Sequence, residues 1–173
     1  MTTLAACAAT ATATGSVPLT LGVAAGGFLI DVDHALDYVL FDGQRDLRPA
    51  SFLRYYVEGR VQRVVLALHS YELFVVLGGL AWWLNSLPLW GYLMGALMHL
   101  ALDIAFNGEY MPTSITAFYS FAYRAANGFD ARRLLGGPRV TADGFWSSFF
   151  AVPGIPRRWR RAGKLSSSVV PEP

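Results

Sequence analysis

Residues 64–106 read VVLALHSYELFVVLGGLAWWLNSLPLWGYLMGALMHLALDIAF. The stretch carries two charged side chains, Glu72 and Asp103, and no Lys or Arg. It divides around Asn85, Ser86 and Pro88 into Val64–Leu84 and Leu87–Phe106. Each half is close to the ~20 apolar residues with which a helix crosses a hydrocarbon core of ~30 Å. Asn, Ser and Pro at the joint are turn chemistry, and Pro favours the start of a new helix. The pattern predicts an antiparallel helical hairpin. Trp82, Trp83, Trp90 and Tyr92 gather at its tip, as rings with a polar edge do at a membrane–water boundary.

The rest of the chain extends this reading. Of 173 residues, 54% are hydrophobic and only 15% charged, where a soluble domain carries about 25% charged. Residues 1–30 hold no charged side chain. Leu4–Ile30, interrupted by Gly15 and Pro18, reads either as one broken span or as two short helices with Pro18 opening the second. Every Lys and Arg lies in residues 41–63 or beyond Phe106. Basic segments stay on the cytoplasmic side. That places the 41–63 loop and the C-terminus inside and the hairpin tip outside. The N-terminus lies outside for a single first span and inside for a folded-back pair.

The expected fold is all-α: a polytopic helical membrane protein with about three transmembrane helices and short interfacial helices. Residues 1–156 form a single membrane domain, followed by a basic, disordered tail at 157–173. The bilayer is the expected partner and the cytoplasmic membrane the expected location. A single cysteine, Cys7, leaves no internal disulfide. The bases sit in loops and a tail, not interleaved with aromatics across a surface, which argues against nucleic acid.

The three histidines stand beside acids. Asp31-Val32-Asp33-His34, with Asp37 following, places four polar groups on one side of a helix. His69 and Glu72 are three apart, and His99 and Asp103 are four apart, both spacings that share a helix face. The predicted topology carries all three groups to one membrane depth on the cytoplasmic side. Ionisable groups within spans are expensive and mark function. Asp31, Asp33, His34, His69, His99 and Asp103 are the metal-ligand candidates. Asp37 is a further donor; with this many donors, either two ions bind or some of the carboxylates serve as partners that fix the imidazoles.

Mixed imidazole and carboxylate donors suit zinc, with manganese or iron as alternatives. Such a site would supply activated water to an ester or phosphoester. Glu72 is the candidate general base, or an anchor for its neighbour. Arg60 or Arg63 could hold an anionic substrate group or meet lipid headgroups. The substrate would be a small molecule or a lipid. The alternative is a non-enzymatic membrane protein that uses the cluster to bind metal or to move protons or ions.

Three motifs in order carry a family resemblance: Gly26-Gly27-Phe28-Leu29-Ile30-Asp31-Val32-Asp33-His34, Leu68-His69-Ser70, and Met98-His99-Leu100-Ala101-Leu102-Asp103. Together they resemble the membrane-bound metal-dependent hydrolases of the LexA-regulated type, over roughly residues 20–120. The resemblance implies a helical integral membrane protein with a hydrolase-type metal site. The chain departs from the family pattern at Leu68, where Thr is usual. It departs again at Gly59-Arg60-Val61-Gln62-Arg63, where the family often has a His, and it has no His before His34.

Overall fold

The structure is a computed structural model that describes residues 1–107, 114–136 and 145–149. Among these residues the chain is helical, with one isolated β-bridge joining Arg63 and Asp130. The chain divides into two units, Met1–Arg139 and Val140–Pro173. The second unit contributes one short helix, Phe145–Phe149, whose Phe145, Trp146 and Phe149 rings pack on one another. The basic tail at 157–173 lies outside the described residues.

The first unit begins with α1 (Thr2–Thr14) and α2 (Val17–Phe28). Gly15 ends α1 in the left-handed region, at φ 61°, which only glycine adopts without cost. Ser16 caps α2 and Pro18 occupies its first turn. The Thr3 hydroxyl reaches the Gly27 carbonyl at 3.4 Å, so the two helices fold back on one another. Of the two readings of Leu4–Ile30, the structure has the folded-back pair of short helices.

α2 runs parallel to α6 (Leu87–Asn107), and this is the most extensive helix pairing in the chain. Its basis is two Gly-x-x-x-Gly pairs, Gly22 with Gly26 and Gly91 with Gly95. A Cβ at Gly22 would meet the Pro88 carbonyl, and at Gly26 the Tyr92 carbonyl; at Gly91 and Gly95 it would meet the carbonyls of Leu19 and Val23. Backbones can approach this closely only without side chains between them.

α5 (Tyr71–Trp83) precedes α6 through the turn at Asn85 and Ser86, so the expected hairpin is present. Its first arm is shorter than the hydropathy suggests. Ser70 is extended and caps α5 through its side chain, and residues 64–70 are not helical. At 13 residues, α5 is ~20 Å long. Among the described residues one helix, Leu87–Phe106, is long and apolar enough to cross a membrane. Val17–Phe28 and Val32–Phe41, bent by 44°, pass the same test when taken together.

α3 (Val32–Leu36) continues as a π-helical turn over Asp37–Phe41. The Asp42 amide bonds the Asp37 carbonyl across that wider turn. The wider register returns Asp42 toward the face of Asp33 and Asp37, where an α-helical turn would carry it aside. α4 (Pro49–Val57) packs Tyr55 inward, and α7 (Ile115–Phe118), α8 (Phe121–Ala126) and α9 (Ala131–Leu135) follow. The core cluster includes Ile30, Leu66, Leu100, Phe118 and Tyr119, chain neighbours or ring contacts of the histidines. It therefore supports the end of the molecule where the polar residues meet.

Candidate metal centre

The three histidines converge. The His34 and His69 ring centroids are 5.2 Å apart, and those of His69 and His99 are 5.6 Å apart. Asp31 stands among them. Its Oδ1 lies 3.5 Å from His69 Nε2, 3.3 Å from His99 Nε2 and 3.9 Å from His34 Nε2. Asp103 Oδ2 lies 3.7 Å from His69 Nε2 and 3.6 Å from His99 Nε2. These gaps are long for hydrogen bonds. Those of Asp31 to His69 and His99, and of Asp103 to His99, match the ~3.3–3.6 Å edges of a tetrahedron whose centre is ~2.0–2.2 Å from each donor, and the other two are longer.

Asp31, His69 and His99 form the tight group, with their donor atoms all within 4.8 Å of one another. Asp103 approaches both imidazoles but stands outside that group. Asp33, His34 and His69 form a second group on the same spacing criterion. The described residues thus include His/Asp groups that could hold a metal ion.

Each central imidazole is held in one orientation. Asp33 accepts from His69 Nδ1 at 3.0 Å. The Gly27 carbonyl accepts from His99 Nδ1 at 3.2 Å. Both acceptors require a proton on Nδ1, which leaves the Nε2 lone pairs facing Asp31 and Asp103. This is the arrangement by which carboxylates and carbonyls orient metal-binding histidines. His69 Nε2 and His34 Nδ1 are buried and have no hydrogen-bond partner. Buried polar atoms are rarely left so, and a cation beside His69 Nε2 would satisfy that atom.

The segment carrying His69 is irregular and buried, so its backbone needs partners. Asp37 Oδ2 accepts from the amides of Val65 (2.7 Å) and Leu66 (3.1 Å). Asp33 Oδ2 accepts from the amides of Leu68 (2.9 Å) and His69 (3.2 Å). On the other side, Arg124 is fully buried and donates to the carbonyls of Val65, Leu66, His69 and Phe118. Carboxylates take the segment's donors and a guanidinium takes its acceptors. Burial draws the Arg124 pKa below the usual arginine value, against the pull of Asp33, Glu72 and Asp37.

Leu66 sits at φ 42°, a conformation that costs a side-chain-bearing residue roughly 1–2 kcal/mol. It is held there from both sides: its amide by Asp37 and its carbonyl by Arg124. Tyr56 steadies the other edge of the site, donating to the His34 carbonyl at 2.6 Å. Burial pushes the Tyr56 phenol up, so it remains a donor.

The sequence-derived candidates therefore separate into roles. Asp31, His34, His69, His99 and Asp103 are gathered together. Asp33 and Asp37 are there too, but as clamps on the 65–69 segment and, for Asp33, on the His69 ring. Glu72 is employed elsewhere. Its oxygens accept from the Ser120 hydroxyl (2.6 Å) and from the amides of Phe121 (2.8 Å) and Ala122 (3.1 Å). The helix begins after His69, so the three-residue spacing that paired His69 with Glu72 no longer sets a shared face. These contacts make Glu72 an anchor for the start of α8, a role distinct from the general base and from the His69 anchor expected from the sequence.

Arg124 and Tyr119 were absent from the sequence reading. Tyr119 stacks on His69, with ring centroids 6.3 Å apart. The available signal for Arg124 was a lone base within the aromatic run Phe121-Ala122-Tyr123-Arg124. Family models, curated proteins and solved structures return no match to this chain.

Proposed function

We propose that the chain is an integral membrane protein of the cytoplasmic membrane. In this reading it is a metal-dependent hydrolase acting on an ester or phosphoester of a small molecule or lipid. The observation that carries the metal site is the pair of oriented imidazoles whose Nε2 atoms face Asp31 and Asp103 at 3.3–3.7 Å. Asp31, His69 and His99 would hold the ion, with Asp103 and His34 at its margin. Three protein ligands with a remaining position is the pattern of catalytic rather than structural zinc. Imidazole and carboxylate donors without thiolate favour zinc, then manganese or iron. A divalent ion held there supplies Lewis acidity and lowers the pKa of water to near 7. Asp103, beside both imidazoles, is the carboxylate positioned to accept a proton.

The membrane reading rests on surface chemistry. Within the apolar window of Leu87–Phe106 only 28% is buried. Val75, Trp82 and Trp83 of α5 are 76%, 79% and 81% exposed. Apolar surface of this extent calls for a cover. The histidine end of the bundle joins directly to the Arg-containing 41–63 segment, which supports a cytoplasmic side for that end.

The test is elemental analysis of the full chain purified in detergent. We expect about one divalent ion per chain, lost in His69→Ala and His99→Ala. Wild-type protein free of divalent metal after purification and reloading would overturn the metal reading. With metal bound, ester and phosphoester substrates compared between wild type and Asp103→Asn decide the hydrolase. Turnover in neither means a binding protein.

A further inference from the structure

Arg60, Arg63 and Arg132 line a concave site of about 640 Å³, together with Gln62 and Asp130. The site comes from two segments distant in sequence. The Val64 amide bonds the Phe129 carbonyl and the Ala131 amide bonds the Gln62 carbonyl, each at 2.9 Å. This bridge sets Arg132 beside Arg60 and Arg63. Asp42 accepts from the amides of Gln62 (3.1 Å) and Arg63 (2.9 Å), which fixes the backbone from behind.

The charges are not balanced within the cavity. Arg60 pairs with Glu58. Asp130 uses Oδ1 to cap α9 through the amides of Arg132 and Arg133. Among the described residues, no carboxylate lies within 4.0 Å of the Arg63 or Arg132 guanidinium. The three guanidinium groups outnumber the Asp130 carboxylate that lines the cavity with them, and a bound anion would relieve the repulsion that remains. Their planar forks match the oxygens of a phosphate group. The volume falls within the ~300–1,000 Å³ usual for ligand sites.

We propose that this cavity binds a phosphate group. The inference is independent of the metal centre, because none of its lining residues belongs to that cluster. The group could belong to a phospholipid headgroup or to a soluble phosphate, and the chemistry of recognition is the same.

The test uses the full chain in detergent, titrated calorimetrically with inorganic phosphate and separately with short-chain phosphatidic acid. Short-chain phosphatidylcholine is the control lipid. We expect saturable binding, weakened about tenfold or more when Arg63→Ala and Arg132→Ala are combined. Arg63→Lys with Arg132→Lys should recover part of it, because charge returns without the fork. Arg133→Ala should bind as wild type, since Arg133 lies on the same helix outside the cavity. Preference for phosphatidic acid identifies a lipid headgroup, and equal affinity identifies the phosphate alone. Either supports the site. Absence of saturable binding to both probes overturns it. So does equal loss in Arg133→Ala, which would mean diffuse surface charge. Melting curves of each variant separate lost binding from lost folding.

Discussion

At the scale of single residues, the two neighbours Asp31 and Asp33 divide the work of the site. Asp31 faces the Nε2 atoms of His69 and His99, while Asp33 takes the His69 Nδ1 proton and two backbone amides. Asp33→Asn keeps the size but removes the charge that orients His69. We expect metal affinity to fall about 10–100-fold, measured by competition with a chromophoric chelator. Asp31→Asn removes a ligand and should lower affinity further. Glu72→Ala tests a different link. It frees the start of α8, so we expect a stability loss of about 1–2 kcal/mol by thermal unfolding, with metal content unchanged. The sequence revealed the His/Asp cluster because helical spacing puts His99 and Asp103 on one face. It could not sort ligand from clamp, because that depends on which nitrogen of His69 each carboxylate meets. Nor could it foresee Arg124, which donates to backbone carbonyls of Val65, Leu66 and His69 more than fifty positions away.

At the scale of elements, hydropathy alone misjudged residues 64–70. They are apolar and adjoin a helix, yet they leave it at Ser70, because Asp33, Asp37 and Arg124 satisfy their backbone groups in an irregular path. Tertiary contacts override local preference here. Arg124→Leu would leave four carbonyls without their donor, at a cost of about 1–3 kcal/mol for each that stays buried. Arg124→Lys should fall between, since an ammonium has three donors and no planar fork. Limited proteolysis of the 64–70 segment reads out both. The α2–α6 contact gives a cleaner contrast. Gly26→Ala drives a methyl into the Tyr92 carbonyl and should cost about 1–3 kcal/mol or prevent folding. Gly79 of α5 has open space around its missing side chain, so Gly79→Ala should be neutral or gain up to ~1 kcal/mol from helix propensity. The Gly-x-x-x-Gly spacing was open to view in the sequence, but its partner was not, because each motif gains meaning only from the other.

At the scale of the molecule, the N-terminal hairpin sets the direction of the chain. α1 runs away from the histidine end and α2 returns to it, since Thr3 meets Gly27. In the membrane reading, the N-terminus therefore lies on the same side as the site. Reporter fusions check this: an N-terminal fluorescent protein that folds only in the cytoplasm should be bright, while a reporter inserted at Asn85 should register the opposite side. Carbonate-resistant sedimentation with membranes should accompany it, and recovery of the chain in the soluble fraction would count against a membrane location. Charge asymmetry is legible in the sequence and supplies the sidedness that these fusions test. The number of crossings is not, because a folded-back pair and a single broken span have the same composition.

The centre also joins distant parts of the chain, from Asp31 through His69 to His99 and Asp103. An ion bound there would be a reversible cross-link between segments far apart in the sequence, added to the hydrogen bonds and helix packing that already join them. Its affinity for the folded form would then enter the folding equilibrium directly. Above the dissociation constant, each tenfold rise in free metal would add about 1.4 kcal/mol to the stability of the folded state. The melting temperature of this chain would become a readout of metal supply, rising with added ion and falling with chelator even where no substrate is known.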